Sequence, residues 1–129
     1  MFLKLFFQSL IVFLALDAVW ISLVASPWMK RAIPQFMAPN PNILAAVAFY
    51  LIYLTSLLVL IIMPVFSQKL GVQSLAFKAF LFGLTAHATY DLTNLAVMKD
   101  YPWTMAVADM IWGGVLTMVT AIIIYKLNH

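Results

Sequence analysis

The sequence predicts an all-α integral membrane protein that folds as a four-helix bundle with up-down-up-down topology. Of the 129 residues, 66% are hydrophobic and 9% are charged, and a soluble domain of this size has too much surface to hide so large an apolar fraction. The apolar residues are grouped in four segments, each close to the roughly 20 residues that cross a bilayer. The last two connections are short, and the tight turn of the third makes the last two helices antiparallel neighbours.

The four predicted spans cover residues 3–25, 43–63, 75–98 and 104–125 of a single transmembrane domain, residues 1–129. The first span also has features of a secretory leader, because Lys4 precedes an apolar run. That run is longer than the apolar region of a leader, and it contains Asp17 and Trp20, for which a disposable segment has no use. The first span is therefore predicted to be a retained helix.

The first connection, residues 26–42, is rich in proline and in apolar side chains. Proline at this density disfavours a long helix, whereas the apolar side chains favour the headgroup region. The connection is therefore predicted to lie on the membrane as a lid over the bundle, with Lys30 and Arg31 directed toward headgroups. The residues behind this interpretation are Pro27, Trp28, Pro34, Phe36, Met37, Pro39 and Pro41. Pro64 is expected to end the second helix.

The charged residues are few, and the basic ones are scattered. Seven Lys and Arg against four acidic residues give a net charge of +3, but single basic residues near helix ends are typical of headgroup anchors. Binding to nucleic acid is not predicted. Cysteine is absent, which excludes disulfides and Cys-ligated metals. The side of the termini holds four basic residues against three on the other side, which predicts cytoplasmic termini. The four are Lys4, Lys69, Lys78 and Lys126, and the three are Lys30, Arg31 and Lys99.

Three of the four acidic residues, Asp17, Asp91 and Asp109, fall within predicted spans. A charge at the bilayer centre costs roughly 2.5 to 3.5 kcal/mol on insertion scales, so three of them need a common reason. Counted at ~1.5 Å per residue from the side of the first and third connections, Asp17 and Asp91 lie about 12 Å deep and Asp109 about 9 Å. Tyr50 on the second helix reaches a similar depth. The sequence therefore predicts one polar layer to which all four helices contribute.

Helical spacing places further polar and aromatic side chains on the same faces. On the third helix His87, Asp91 and Asn94 follow i, i+4, i+7 spacing. The candidates for acid–base or proton-exchange chemistry are Asp17, Asp91, Asp109 and His87. The candidates for ligand contact are Trp20, Tyr50, Tyr53, Tyr90, Asn94 and Trp112. No metal site or cofactor is predicted, because HxxxH and ExxH pairs are absent and His87 lies about 6 Å deeper than Asp91.

Two other features have simpler interpretations. Tyr101, next to Pro102 in the third connection, is assigned to the aromatic belt at the membrane interface. Gly113 and Gly114 are expected to permit close approach between helices.

Three strings carry a family resemblance. Asp17-Ala18-Val19-Trp20 and Asp109-Met110-Ile111-Trp112 are both D-x-x-W, and Tyr90-Asp91-Leu92-Thr93-Asn94 is followed by a Pro-Trp turn. On these strings the chain resembles, over nearly its whole length, a family of small bacterial membrane proteins catalogued as domain of unknown function twenty-one seventy-seven. The resemblance implies a four-span protein of the bacterial inner membrane. It implies no activity.

Three hypotheses for the function remain open. The first is a protein that binds or transports a small polar, cationic or lipid-like ligand, with proton exchange at carboxyl groups whose protonated form desolvation favours. Four helices are few for a transport path, so this version predicts a homodimer. The second is a membrane enzyme that uses Asp and His acid–base chemistry on a lipid or isoprenoid. The third is a structural or accessory subunit whose polar layer fixes helix packing. Membrane lipids are the expected partners in each case.

Overall fold

Four long helices make up the computed structural model, which describes residues 1–37, 40 and 42–129. Counted through their π-helical turns, they are α1 (Phe2–Ala32), α2 (Ile43–Ser67), α3 (Val72–Val97) and α4 (Trp103–Asn128). A 3-10 turn, Pro34–Phe36, follows α1. The described residues contain no β-strand. The predicted all-α membrane bundle is confirmed.

Three helices, α1, α2 and α4, are long and apolar enough to cross a membrane. At about 1.5 Å per residue, α3 is also long enough to cross a bilayer. Its lower hydropathy has a simple cause, because α3 carries Lys78, His87, Asp91 and Asn94. The polar residues that predict a site are thus the same ones that make this span less apolar than the others.

Two prolines lie inside helices and shape them. In α1 the residues Ile21–Ala25 form a π-helical turn, and Ser26, just before Pro27, donates its N–H to the carbonyl of Ile21. In α2 the residues Leu58–Ile62 do the same, and Met63, just before Pro64, donates to Leu58. A proline has no N–H, and its ring collides with the carbonyl four residues earlier. Widening the preceding turn to i→i−5 bonds lets the helix continue through the proline.

These π turns change two predicted boundaries. Helix α1 runs to Ala32, seven residues into the predicted first connection, and α2 does not end at Pro64 but continues to Ser67. The remaining part of the first connection is correspondingly short. Pro39, Pro41 and the side chain of Phe36, which were part of the lid prediction, lie outside the described residues.

The helices form a closed ring in which each contacts the next in sequence and α4 returns to α1. Phe13 of α1, Leu54 of α2 and Leu116 of α4 are completely or almost completely buried in the shared core. Near the termini Asn128 donates a 2.8 Å hydrogen bond to Gln8, which fixes α1 and α4 as antiparallel neighbours. Large apolar side chains cover the outside of the bundle, among them Leu3, Ile11, Leu23, Leu44, Ile52, Phe77 and Ile111.

Helices α3 and α4 make the most intimate contact in the bundle, and glycine makes it so. A Cβ on Gly83 would overlap the carbonyl of Gly113, and a Cβ on Gly113 would overlap the ring of His87. A Cβ on Gly114 would press on the ring of Phe80. Small residues allow helix backbones to approach closely in membranes. The geometry agrees with the close approach expected at Gly113 and Gly114, and Gly83 supplies the other side of the contact.

We predict that Gly113→Ala destabilises the protein by about 1–3 kcal/mol, because the added methyl forces α3 and α4 apart or displaces the His87 ring. The matched control is Gly71→Ala, since a Cβ on Gly71 meets nothing within 4 Å. Thermal unfolding in detergent micelles measures both variants. Equal melting temperatures for the two variants would contradict the glycine contact.

Candidate functional site

Asp17 joins three helices. Its carboxylate accepts a 2.8 Å hydrogen bond from the hydroxyl of Tyr50 on α2 and a 3.2 Å hydrogen bond from the indole Nε1 of Trp112 on α4. The Asp17 side chain is buried, with 9% of its surface exposed. Both donors are neutral, so the carboxylate is solvated by hydrogen bonds rather than by an opposite charge.

The two D-x-x-W strings meet across the bundle. The rings of Trp20 and Trp112 stack with centroids 5.1 Å apart and planes 7° from parallel. The indole of the second string bonds the aspartate of the first, but the reciprocal bond is missing, because Nε1 of Trp20 is buried without a partner among the described residues. The likeness of the two strings therefore reflects one shared contact, in which each tryptophan packs on the other.

A second carboxyl group, that of Asp91, is buried more deeply, with 1% of its surface exposed. Its Oδ1 lies 3.4 Å from the hydroxyl of Tyr101, which is a long hydrogen bond. Its Oδ2 has no donor among the described residues. The carboxyl group of Asp109, on α4, lines the same small pocket as Asp91. Two carboxyl groups can bond each other only when one of them carries a proton.

Tyr101 is a site residue that the sequence interpretation missed. It was assigned to the interfacial belt, but its ring is buried and its hydroxyl donates to Asp91. Burial raises the pKa of the Tyr101 hydroxyl above its ordinary value, so the group remains a donor at neutral pH. The only signal in the sequence is its place in a tight turn after α3. The turn depends on Asp100, whose φ of 62° folds the chain back toward Asp91.

A cavity of about 420 Å³ opens beside these carboxyl groups. Asp17, Asp109 and His87 supply its polar groups, and Trp20, Phe49 and Tyr90 supply aromatic walls. Four more residues complete the wall: Ile21 and Ala25 from the π turn of α1, Met29 further along α1, and Ala86 of α3. We refer to this space as the acidic cavity.

The acidic cavity has an open side. Two residues of its lining, Phe49 of α2 and Tyr90 of α3, are 46% and 52% exposed. A smaller pocket of about 30 Å³ shares Tyr90 and Asp109 with the acidic cavity and is also lined by Asp91 and Tyr101. Asp109 therefore lines both spaces, whereas Asp91 lines only the smaller one.

The remaining predicted site residues have different positions. His87 faces the acidic cavity, and its Nδ1 lies 2.9 Å from the carbonyl of Gly83, which fixes the ring. Asn94 lies beside the hydroxyls of Tyr90 and Tyr101. Tyr53 is 5% exposed and bonds Thr117 in the core. Tyr53 is thus a packing residue in this arrangement, although it shares a helix face with Tyr50.

The end of α1 lies beside the buried Asp91. Trp28 and Met29 line the small pocket beside Asp91, and Ile33 packs with Tyr101, Met105 and Ala106 in a separate apolar cluster. Lys30 and Arg31 are exposed. Ser26–Ala32 of this segment is helical rather than irregular, and the lid over the bundle stays a prediction.

The polar groups of the site are mainly carboxyl and hydroxyl oxygens. No Lys or Arg is among the described residues that line the acidic cavity. Within residues 1–37, 40 and 42–129, no group of three or more His, Asp or Glu is placed to hold a metal ion. The arrangement can accept hydrogen bonds, neutralise a cation, and hold or release a proton between Asp91 and Asp109.

The chain matches a family model over most of its length. The model described as predicted membrane protein (DUF2177) matches residues 2–126, a range that contains every residue of the site. This match confirms the resemblance carried by the D-x-x-W strings. No curated protein and no solved structure matches the chain.

The two kinds of aspartate are predicted to differ when changed. Asp17→Ala leaves the donors Tyr50 and Trp112 without an acceptor and costs about 1–3 kcal/mol. Asp91→Asn removes one of two facing carboxyl groups and leaves stability unchanged or raised. Unfolding in detergent compares them, with Asp100→Asn in the exposed turn as a control for the loss of a charge. A loss of stability in Asp91→Asn as large as that in Asp17→Ala would show that the Asp91 carboxyl only joins helices.

Proposed function

This chain belongs to the DUF2177 family of predicted membrane proteins, and because that description names no activity, we propose a function from the site itself. The protein binds a cationic ligand, such as an amine, inside the membrane and releases a proton in exchange. The observation that carries this proposal is the acidic cavity, in which Asp17 and Asp109 face a space walled by aromatic rings.

Charge favours a cation over an anion or a neutral ligand. The lining of the acidic cavity includes two carboxyl groups and no Lys or Arg among its described residues. A carboxylate away from water is costly unless an opposite charge or several donors accompany it. Asp17 has two donors of its own, whereas Asp109 has none among the described hydrogen bonds. A cation next to Asp109 would supply what that carboxylate lacks.

The aromatic walls favour the same class of ligand. Trp20, Phe49 and Tyr90 surround the space beside Asp109. The faces of such rings attract cations, and the attraction grows to about 2 kcal/mol when the cation is removed from water. Rings also accept the carbon substituents of an amine, which carboxylates alone would not. An alkylated ammonium group therefore fits both components of the lining.

The Asp91 and Asp109 pair supports proton exchange. With no ligand, one proton between the two carboxyl groups avoids two adjacent negative charges, as in other carboxyl pairs. It also gives the buried Oδ2 of Asp91 a partner. A cation that arrives beside Asp109 takes over the role of that proton, so binding is coupled to its release.

The proposal includes a place in the cell. We place the protein in the bacterial inner membrane with cytoplasmic termini, from the family resemblance and from the excess of basic residues on the terminal side. Asp91 lies about 9 Å before the end of α3 at Val97, and Asp109 about 9 Å after the start of α4 at Trp103. In this orientation the acidic cavity belongs to the half of the membrane that faces away from the cytoplasm.

One observation favours a second candidate function. Oδ2 of Asp91 has no donor among the described residues and shares a pocket with Asp109, while His87 lines the adjoining acidic cavity; this arrangement also suits a general acid and base. Such a membrane enzyme would act on a lipid or isoprenoid that enters from the open side. It would convert its ligand, whereas a binding protein returns it unchanged.

We predict saturable binding of butyltrimethylammonium to the protein in phosphatidylcholine nanodiscs, with about one proton released per ligand. Asp109→Asn should weaken binding about tenfold or more, the value of one lost charge contact. Asp100→Asn, the same change outside the site, should bind as the wild type does. Calorimetry in two buffers of different ionisation enthalpy measures the affinity and the proton count.

Three outcomes would count against this function. No saturable binding, or equal weakening in Asp109→Asn and Asp100→Asn, would overturn the cation site. Binding without proton release would overturn the exchange. Chemical conversion of membrane lipids that depends on Asp91 would favour the enzyme instead.

A further inference from the structure

A second space lies on the outside of the bundle, between α2 and α3. It is a groove of about 530 Å³ that faces the lipid. On α2 its wall is the π turn, through Leu60 and Ile61. On α3 its wall runs from Lys78 through Leu81, Phe82 and Thr85 to Ala86. We refer to it as the α2–α3 groove.

The α2–α3 groove and the acidic cavity meet at Ala86, which lines both. Along α3, Lys78 is about 12 Å from Ala86, and Ala86 is about 6 Å from Tyr90 in the acidic cavity. The two spaces thus follow one another along the same helix. One is apolar and open to lipid, and the other is acidic and aromatic.

We propose that the ligand is a single-chain amphiphile with a cationic head, which places its head in the acidic cavity and its hydrocarbon chain in the α2–α3 groove. The proposal rests on the function proposed above and adds the class of ligand. The head is recognised by Asp109 and the rings around it. The chain is recognised by shape, since Leu60, Ile61 and Leu81 offer it only apolar contact.

The position of Lys78 decides which way such a molecule lies. Its side chain is exposed at the end of the groove far from Asp109. A phospholipid held by its phosphate on Lys78 would bring the end of its chain toward Asp109, and a carboxylate that faces hydrocarbon without a partner is costly. The reverse orientation matches each end of the ligand to its surroundings. The cation meets the carboxyl groups, and the chain ends beside the aliphatic stem of Lys78.

The test compares butyltrimethylammonium with dodecyltrimethylammonium, which share one head and differ in chain length. Thr85→Phe fills the α2–α3 groove without touching the acidic cavity, because Thr85 lines only the former of the two. Thr93→Phe makes the same change at an exposed position of α3 that lines neither space. All proteins are studied in identical phosphatidylcholine nanodiscs. Partitioning of the long-chain ammonium ion into lipid is then the same for every protein and cancels in the ratio of each variant's affinity to that of the wild type.

We expect Thr85→Phe to weaken the binding of dodecyltrimethylammonium on the order of tenfold, because the filled groove removes the contacts of several methylene groups. Butyltrimethylammonium should bind this variant within about twofold of wild type, since its head and short chain stay in the acidic cavity. Thr93→Phe should bind both ammonium ions as the wild type does. Lys78→Gln removes the charge but keeps most of the aliphatic stem, so dodecyltrimethylammonium should still bind this variant.

The failure of this inference can be told apart from the failure of the proposed function. If both ammonium ions bind the wild type and Thr85→Phe changes their affinities equally, the groove does not hold the hydrocarbon chain, and the cation site stands alone. If Lys78→Gln abolishes binding of dodecyltrimethylammonium, the groove is organised around that basic residue, and the proposed orientation is wrong. If neither ammonium ion binds the wild type, the cation site itself is overturned, and this inference is overturned with it.

Discussion

The burial of the Asp17 carboxylate among lipid-facing helices constrains everything around it. Lipid tails are as apolar as leucine, so apolar contact alone gives these helices little reason to choose their neighbours. A carboxylate in the same place must find donors, and Asp17 finds them on Tyr50 of α2 and Trp112 of α4. These two bonds hold α1 between α2 and α4. They also set the rotation of α4 that brings Asp109 to the same interior.

The three intramembrane aspartates consequently have different tasks. Asp17 has two donors and ties helices together, so its environment is complete in the absence of a ligand. Asp91 has one long hydrogen bond and a carboxyl neighbour, so its environment changes with every proton or cation that arrives beside Asp109. Buried polar groups that are only partly satisfied are frequent at functional sites. The division separates the residue that builds the site from the pair that is suited to exchange.

Much of this arrangement follows from the sequence, and the exceptions have physical reasons. Helical spacing and depth counting identify Asp17, Asp91, Asp109, Tyr50 and Trp112, because both depend only on the regular rise and turn of a helix. Tyr101 escapes such counting, since its position depends on a turn with Asp100 in the left-handed region. The lengths of α1 and α2 escape it too. A proline predicts a helix end, and only the i→i−5 bonds before Pro27 and Pro64 reveal that the helix continues.

The π turns before those two prolines line the spaces inside and beside the bundle. Each π turn replaces regular i→i−4 bonds with i→i−5 bonds, which changes the positions of the side chains that face a neighbouring helix. The turn before Pro27 lines the acidic cavity through Ile21 and Ala25, and the turn before Pro64 lines the α2–α3 groove through Leu60 and Ile61. On the opposite side, Gly83 and Gly113 hold α3 tightly on α4. Because α3 is fixed there, it cannot shift toward α1 and α2 to fill either space, so both spaces remain open when the rest of the bundle packs.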